Sequence, residues 1–476
     1  MFSLPTFRLE KKPPSKCRKW VSEKLETQFG SSQFSHGQIL SMLIPLILDQ
    51  FFINLIGVLT TSMISSSSQE SVAAVSVVSP IINLLLCIFT AVSAGGTVIV
   101  AQYKGHGDAR KMRKAAGQVI LVAFLLALTI CIIFVIFAAP IVNAMFGAAD
   151  EVIRSKARDY MIGSAISLVT FSVYESIFAV FRGVGATKTC LRLTVVINAI
   201  HLIASMLFIN VLRMDIVGTA LSLNVARLIG GAIALYLILK PNDFITLRWK
   251  DFLNWERKMF HSIVKMAVPF AVEQLFFNGG SILVQMYMVQ LGTANVAANA
   301  VANSVLSLMF APAAAVATLS ITIVGQCVGA GDKKLAKWYG KKMNILGVCI
   351  IILSIAVLYP LSPVLLNFYH PEPETLGIIS RLLLIGVIPM PFFWALSNIM
   401  PNVLRAAGDV NFPSIVSLIT MWVIRVGAGY LVAVPLKFGI EGVWVCMGLE
   451  WAIRSLIFSL RYRGKKWLSR KSVTAS

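Results

Sequence analysis

The chain has 476 residues, of which 57% are apolar and only 13% charged, whereas an average soluble domain carries about 25% charged residues. That composition excludes an ordinary water-soluble globule and places the chain in a bilayer. Its 42 Lys and Arg against 21 Asp and Glu would raise the question of nucleic acid in a soluble protein; here membrane topology accounts for the surplus, and no nucleic-acid partner is expected.

Residues 1–37 form a basic tail containing FRLEKKPPSKCRKW. The apolar run after it is too long for a signal peptide and lacks a small-residue cleavage site, so the tail is read as retained. Six apolar segments follow, near 38–65, 72–101, 116–139, 157–181, 191–212 and 217–239. A linker over 240–260 contains RWKDFLNWERKMF, whose mixed aromatics and charges suit a helix lying in the membrane interface. Six more segments lie near 261–290, 296–327, 343–367, 375–404, 413–436 and 440–460, before a second basic tail over 462–476. Each approaches or exceeds the ~20 residues that cross ~30 Å of hydrocarbon as a helix. Pro80, Gly95, Gly96, Pro312, Pro389 and Pro391 fall inside these spans, where a membrane bundle tolerates them as kinks. The predicted fold is an all-α membrane protein of twelve transmembrane helices in two six-helix lobes, 38–239 and 261–461.

Most Lys and Arg fall in the two tails and in alternate loops. Cytoplasmic segments keep such an excess, so both termini are assigned to the cytoplasmic side of a multi-pass inner-membrane protein.

The lobes are copies. PLILDQFFIN at 45–54 matches PFAVEQLFFN at 269–278, an offset of 224 that also carries VAAV at 72 onto VAAN at 296 and AQYKGHGD at 101 onto GQCVGAGD at 325. At an offset of 223, FRGVGATKT at 181 matches LRAAGDVNF at 404. Parallel repeats of even helix number are related by an axis along the membrane normal and enclose a shared cavity, a plan suited to alternating access. In the GxGD loops Gly permits tight connections, and Asp108 and Asp332 are placed to cap the following helices. No phosphate-binding loop occurs, so no nucleotide partner is expected and transport must draw on an ion gradient. The seven Cys form no CxxC pair and the five His no cluster, so no metal, no cofactor and no catalytic residues are expected.

An ionised carboxylate in hydrocarbon costs at least ~2.5 to 3.5 kcal/mol, so acids there face a cavity, find a partner or titrate. Four qualify: Asp49, Glu175, Glu273 and Glu450, with Arg227, Arg381, Arg425 and Arg454 as a possible complete set of partners. Asp49 and Glu273 occupy equivalent depths in the two lobes, each followed by Gln50 or Gln274 and by Asn54 or Asn278; these are the candidate cation-coupling or substrate-binding residues. Glu175 joins them because the second lobe has Asn398 at its place, although pairing with Arg227 or with a basic residue near the cytoplasmic end is its structural alternative. Glu450 and Arg454, four apart on one helix, are read as a structural ion pair with Arg425 as an alternative partner. His201 is lone, either a satisfied hydrogen-bonding group or a proton relay. Phe276, Phe277, Met286 and Tyr287 follow Glu273 and could line a site for a cationic substrate, to which aromatic faces and thioethers are suited.

With SAGGTVIVAQYKGHGD, GTANVAANAVAN, VGQCVGAGD, LRAAGDVNFP, MWVIRVGAGYL and GVWVCMGLEWAIRSLIF in view, the chain resembles the multidrug and toxic compound extrusion (MATE) family over about 38–467. The resemblance implies two lobes around a V-shaped cavity and export of small lipophilic cations in exchange for H+ or Na+, with membrane lipid around a monomer. It departs from the family pattern at Thr60, in GVLTTSM, where many relatives carry an Asp implicated in coupling. A lipid-linked sugar flippase of the same superfamily and a membrane-embedded enzyme are the alternatives. The first would need several cavity Arg or Lys, and the second a catalytic cluster that the sequence lacks.

Overall fold

A computed structural model describes residues 30–31, 33–64, 68–147, 150–367 and 372–470. Thr60 falls on the first helix, but its side chain lies outside the described set, as does the basic tail before residue 30. The first lobe comprises α1 (His36–Ile64), α2 (Gln69–His106), α3 (Ala109–Ile136), α4 (Ala138–Phe146), α5 (Glu151–Val184), α6 (Thr187–Ser205) and α7 (Asp215–Leu239). After α8 (Trp249–Leu253) the second lobe runs through α9 (Arg257–Val289), α10 (Thr293–Gly329), α11 (Lys333–Leu358), α12 (Ser362–Asn367), α13 (Pro373–Val387), α14 (Ala395–Ala406), α15 (Asn411–Thr420), α16 (Gly429–Ala433) and α17 (Gly439–Arg463). Three wider π-helical segments, Met206–Val211, Met390–Trp394 and Met421–Ala428, join α6 to its end, α13 to α14 and α15 to α16. Among the described residues eleven helices are long and apolar enough to cross a membrane, and Pro373–Val387 with Met390–Ala406, bent by 44°, makes a twelfth if the pair is one span. That bend falls at Pro389 and Pro391, where the missing N–H groups break the helical ladder.

The helices outrun the hydropathy pattern at their polar ends. α2 continues through Gln102, Tyr103 and Lys104 to Gly107, which takes φ 81° and closes the helix; hydropathy marks where hydrocarbon ends, a cap where the helix ends. Asp108 accepts from Lys111 N at 2.9 Å and Asp332 from Leu335 N at 2.8 Å, so both acids cap as the repeat suggested. The linker contributes only the five-residue α8, shorter than the interfacial helix expected. It docks on α3, where Gln118 Nε2 donates to Asn254 O at 3.1 Å and leaves Trp249 and Leu253 exposed.

The lobes meet reciprocally. α1 packs against α10, α9 against α2, and α2 against α10. At the end of the bundle bearing the GxGD loops, Gln102 Nε2 donates to Ala406 O at 2.8 Å and Gln326 Nε2 to Gly183 O at 2.9 Å. Both donors and both acceptors are repeat equivalents, so one contact occurs twice about the pseudo-twofold axis. The backbones approach closely enough that a Cβ on Gly105 would lie 1.9 Å from Gln326 O, and one on Gly329 1.9 Å from Gln102 O. Only glycine fits there. Gly105→Val and Gly329→Val are each expected to lower stability by about 1–3 kcal/mol, the usual cost of overpacking. Each should also raise maleimide labelling of a cysteine placed at Ala406, measured on purified protein; unchanged melting and labelling would show that the lobes do not meet here.

Candidate functional site

Residues Phe171, Tyr174, Glu175, Phe178 and Arg182 recur on α5 at helical spacings of three, four and seven, so one stripe of that helix carries aromatic rings, a carboxylate and a guanidinium together. The stripe lines a cavity of about 500 Å³ in the first lobe, with Asp49 and Gln50 from α1, Thr90, Ser93 and Thr97 from α2, and Asn198 from α6. Arg182 Nη1 lies 3.2 Å from Glu175 Oε1 and its Nη2 3.6 Å from Asp49 Oδ2. Ser93 Oγ adds a hydrogen bond to Glu175 Oε1 at 3.0 Å. Asp49 is 1% exposed, and among the described residues neither of its carboxylate oxygens accepts a hydrogen bond. Two carboxylates thus share one guanidinium, and the less supported of them is buried.

The partners differ from those expected. Arg227 meets no carboxylate among the described residues: its Nη1 donates to Ser167 Oγ at 2.6 Å and its Cζ sits 4.8 Å from the Phe171 ring centroid, behind the cavity wall. Arg381, an exposed side chain, pairs with Glu441 at 2.9 Å. Glu175 pairs not with Arg227 but with the other partner the sequence allowed, a basic residue at the end of its own helix, Arg182; the repeat equivalent Arg405 pairs with Glu273. Arg405 also donates to Asn402 Oδ1 at 3.2 Å and stacks 4.2 Å from the Phe270 centroid. Both arginines looked like loop bases in the sequence. Their signal was the duplicated RGxG and RAxG, whose first residue ends a helix with its side chain turned inward toward the acid of the lobe's first helix.

Glu450 is fully buried between Arg425 Nε at 2.6 Å and Arg454 Nη1 at 3.2 Å, so both arginines are its partners at once. Arg454 Nη2 donates further to Ser417 Oγ at 3.0 Å. Asn54 Nδ2 bonds Gln50 O at 2.9 Å and Asn278 Nδ2 bonds Gln274 O at 2.8 Å, a repeated brace along α1 and α9. Gln50 reaches the first-lobe cavity, whereas Glu273 is held by Arg405 and does not line that cavity. His201 lies one turn beyond Ile197 and Asn198 and is likewise outside the lining. Tyr287 donates to Arg425 O at 3.1 Å, Phe277 lies under the Arg425 guanidinium at 5.3 Å, and Phe276 meets Trp422 edge to face. Met286 is exposed.

Removing one member of a buried ion cluster leaves the others uncompensated, at a cost of about 3–5 kcal/mol. Glu450→Gln is therefore expected to lower the thermal-unfolding midpoint of detergent-purified protein markedly. Removing all three charges with Glu450→Gln combined with Arg425→Gln and Arg454→Leu should recover part of the loss. An unchanged midpoint in the single variant would mean that the cluster is not compensated as described.

The sequence profile described as MatE matches this chain twice, over residues 45–207 and 269–431, one copy per lobe. The chain is 24% identical to the Bacillus subtilis protein named "Uncharacterized transporter YisQ", covering 91% of this chain and 95% of that one. It is 22% identical to the Thermotoga maritima "Probable multidrug resistance protein NorM", covering 92% and 94%. Among solved structures, one titled "Crystal structure of MATE in complex with MaL6" superposes with a TM-score of 0.82 at 17% identity, covering 90% of this chain and 95% of that one. Another, of a MOP superfamily transporter from Pyrococcus furiosus whose title describes "reverse polarity of binding pocket", superposes at 0.79 and 17%, covering 91% and 96%. The chain belongs to the MatE family of transporters, and it is not an enzyme.

Proposed function

We propose that this MatE-family chain is a secondary active exporter of small lipophilic organic cations, exchanging them for H+ or Na+ by alternating access as a monomer. The first-lobe cavity carries the reading: Asp49 and Glu175 against Arg182 alone leave it one formal negative charge, and Phe171, Tyr174 and Phe178 give a cation aromatic faces. The relatives named for multidrug resistance agree with such a substrate class. Asp49 is the coupling group in this scheme. A carboxylate with no hydrogen bond and one 3.6 Å ion contact is poorly compensated out of water, so it gains from taking a proton, a sodium ion or a cationic substrate. These occupants compete for one charge, which is what exchange requires. Glu175, better held by Arg182 and Ser93, is the second member; Gln50 and Asn198 supply neutral donors and acceptors.

Orientation follows from charge. The loop end at which Gln102 and Gln326 join the lobes also carries Lys104, Arg110, Lys111, Lys333 and Lys334, so it is assigned to the cytoplasm together with both termini, in a bacterial inner membrane. With the lobes joined there, the cavity side belongs to an outward-facing state. The lobes take the bounds 38–239 and 261–461, joined by 240–260.

In proteoliposomes holding purified protein, ethidium transport is expected under an imposed pH or sodium gradient. Asp49→Asn and Glu175→Gln should each reduce it about tenfold or more, the equivalent of ~1.4 kcal/mol, at unchanged protein abundance. Wild-type transport and ion dependence in the combined Asp49→Asn, Glu175→Gln, Glu273→Gln variant would reject these carboxylates as the coupling site and make His201 the next residue to test. Transport of lipid diphosphates without organic cations would replace the exporter by a flippase.

A further inference from the structure

A second polar chamber, of about 470 Å³, opens in the other lobe near the turn between α9 and α10, at the end of the bundle remote from Gln102 and Gln326. Its polar wall is Ser281, Gln285, Asn299, Asn303 and Arg425, and Trp444, Met288 and Met447 make an apolar side. The charge behind this wall has the opposite sign to that of the first-lobe cavity. Glu450 is the one carboxylate in the cluster, and it is shared by two guanidinium groups. Arg454 is engaged, bonded to Glu450, Ser397 O and Ser417 Oγ. Arg425 is less so: it meets Glu450 through Nε, and among the described residues its terminal nitrogens have no hydrogen bond, while the residue lines the chamber. A guanidinium holds five N–H donors in a planar fork matched to a carboxylate.

Two further features point the same way. Asn299 Oδ1 already accepts from Trp444 Nε1 at 3.0 Å and from Asn303 Nδ2 at 2.9 Å. Its acceptor is occupied, so the group it can offer a ligand is its NH2, a donor. Arg425 itself sits in the π-helical segment Met421–Ala428, and its carbonyl is held by Tyr287 Oη at 3.1 Å. Segments of that kind gather at functional sites because the widened turn re-aims a side chain.

We propose that this chamber is a binding site for an organic carboxylate, in which Arg425 takes the carboxylate, the Asn299 and Gln285 amides donate to it, and Trp444, Met288 and Met447 receive a flat apolar body. The inference does not depend on the exporter reading, since it concerns another lobe and the opposite charge. Benzoate, with benzamide as its uncharged isostere, probes it on the purified full-length protein by isothermal titration calorimetry. Saturable benzoate binding is expected, with benzamide at least about tenfold weaker, the scale of one charge-assisted hydrogen bond. Arg425→Lys keeps the charge facing Glu450 but loses the fork, and should weaken benzoate about tenfold. Should that variant unfold, Gln285→Glu serves instead: this exposed side chain is expected to leave the melting temperature unchanged while a new carboxylate repels the ligand. Asp49→Asn should leave benzoate binding as in wild type. Equal binding of benzoate and benzamide, no saturable binding, or full affinity in a folded Gln285→Glu protein would overturn the assignment. Ethidium export persisting in any of those cases would leave the exporter reading intact.

Discussion

A carboxylate on a membrane helix must be compensated from within the protein, because hydrocarbon offers nothing. The chain meets this constraint by ending one helix of each lobe on an arginine that turns back onto the acid of that lobe's first helix. Arg182 does this for Asp49 and Arg405 for Glu273, so the contact is duplicated with the fold. It ties the start of each lobe to residues some 130 positions later. Long-range pairing of this kind positions α1 and α5, and hence the first-lobe cavity between them.

The duplication is conserved in plan and broken in detail, and the break is where chemistry becomes possible. In the second lobe the pairing is one to one, with Arg405 close on Glu273 and braced by Asn402 and Phe270. In the first lobe Glu175 takes a share of Arg182, and Asn398 stands at that place in the copy. The added carboxylate draws Arg182 toward itself at 3.2 Å and leaves Asp49 at 3.6 Å. One extra acid therefore converts a one-to-one ion pair into a cluster of two carboxylates and one guanidinium, at the same address in the fold.

Much of this was legible in the residues. Twelve spans follow from hydropathy, the two lobes from the offset of 224, and the caps at Asp108 and Asp332 from helix chemistry. The arginine partners were hidden for a physical reason: Arg182 and Arg405 lie in the last turn before a glycine loop, and no pattern in sequence tells whether such a side chain faces water or turns inward. Arg227 misled in the opposite direction, because its place within an apolar span suggests an acid partner, while Ser167 and the Phe171 ring satisfy it. The second-lobe chamber was illegible for yet another reason. It is assembled from α9, α10, α17 and the π-helical segment that carries Arg425, and Asn299 and Asn303 lie in the GTANVAANAVAN run, which taken alone shows only resemblance.

The two charge centres lie within the lobes, but three hydrogen bonds that join the lobes at the GxGD end are uncharged, and that difference bears on motion. Gln102 to Ala406, Gln326 to Gly183 and Thr322 to Arg182 O, at 2.8 to 2.9 Å, are neutral hydrogen bonds to backbone carbonyls, each with a net contribution of about 0.5–1.5 kcal/mol. Together they contribute a few kcal/mol, short of the ~5.5 kcal/mol that separates a 1:99 from a 99:1 population. A joint of that strength holds one arrangement without locking it. Charged pairs spanning the lobes would leave uncompensated ions within the membrane if the lobes parted. Among the described residues the Asp49, Glu273 and Glu450 ion pairs lie inside a lobe, and the hydrogen bonds named here between the lobes are neutral, so parting the lobes would leave those ion pairs intact.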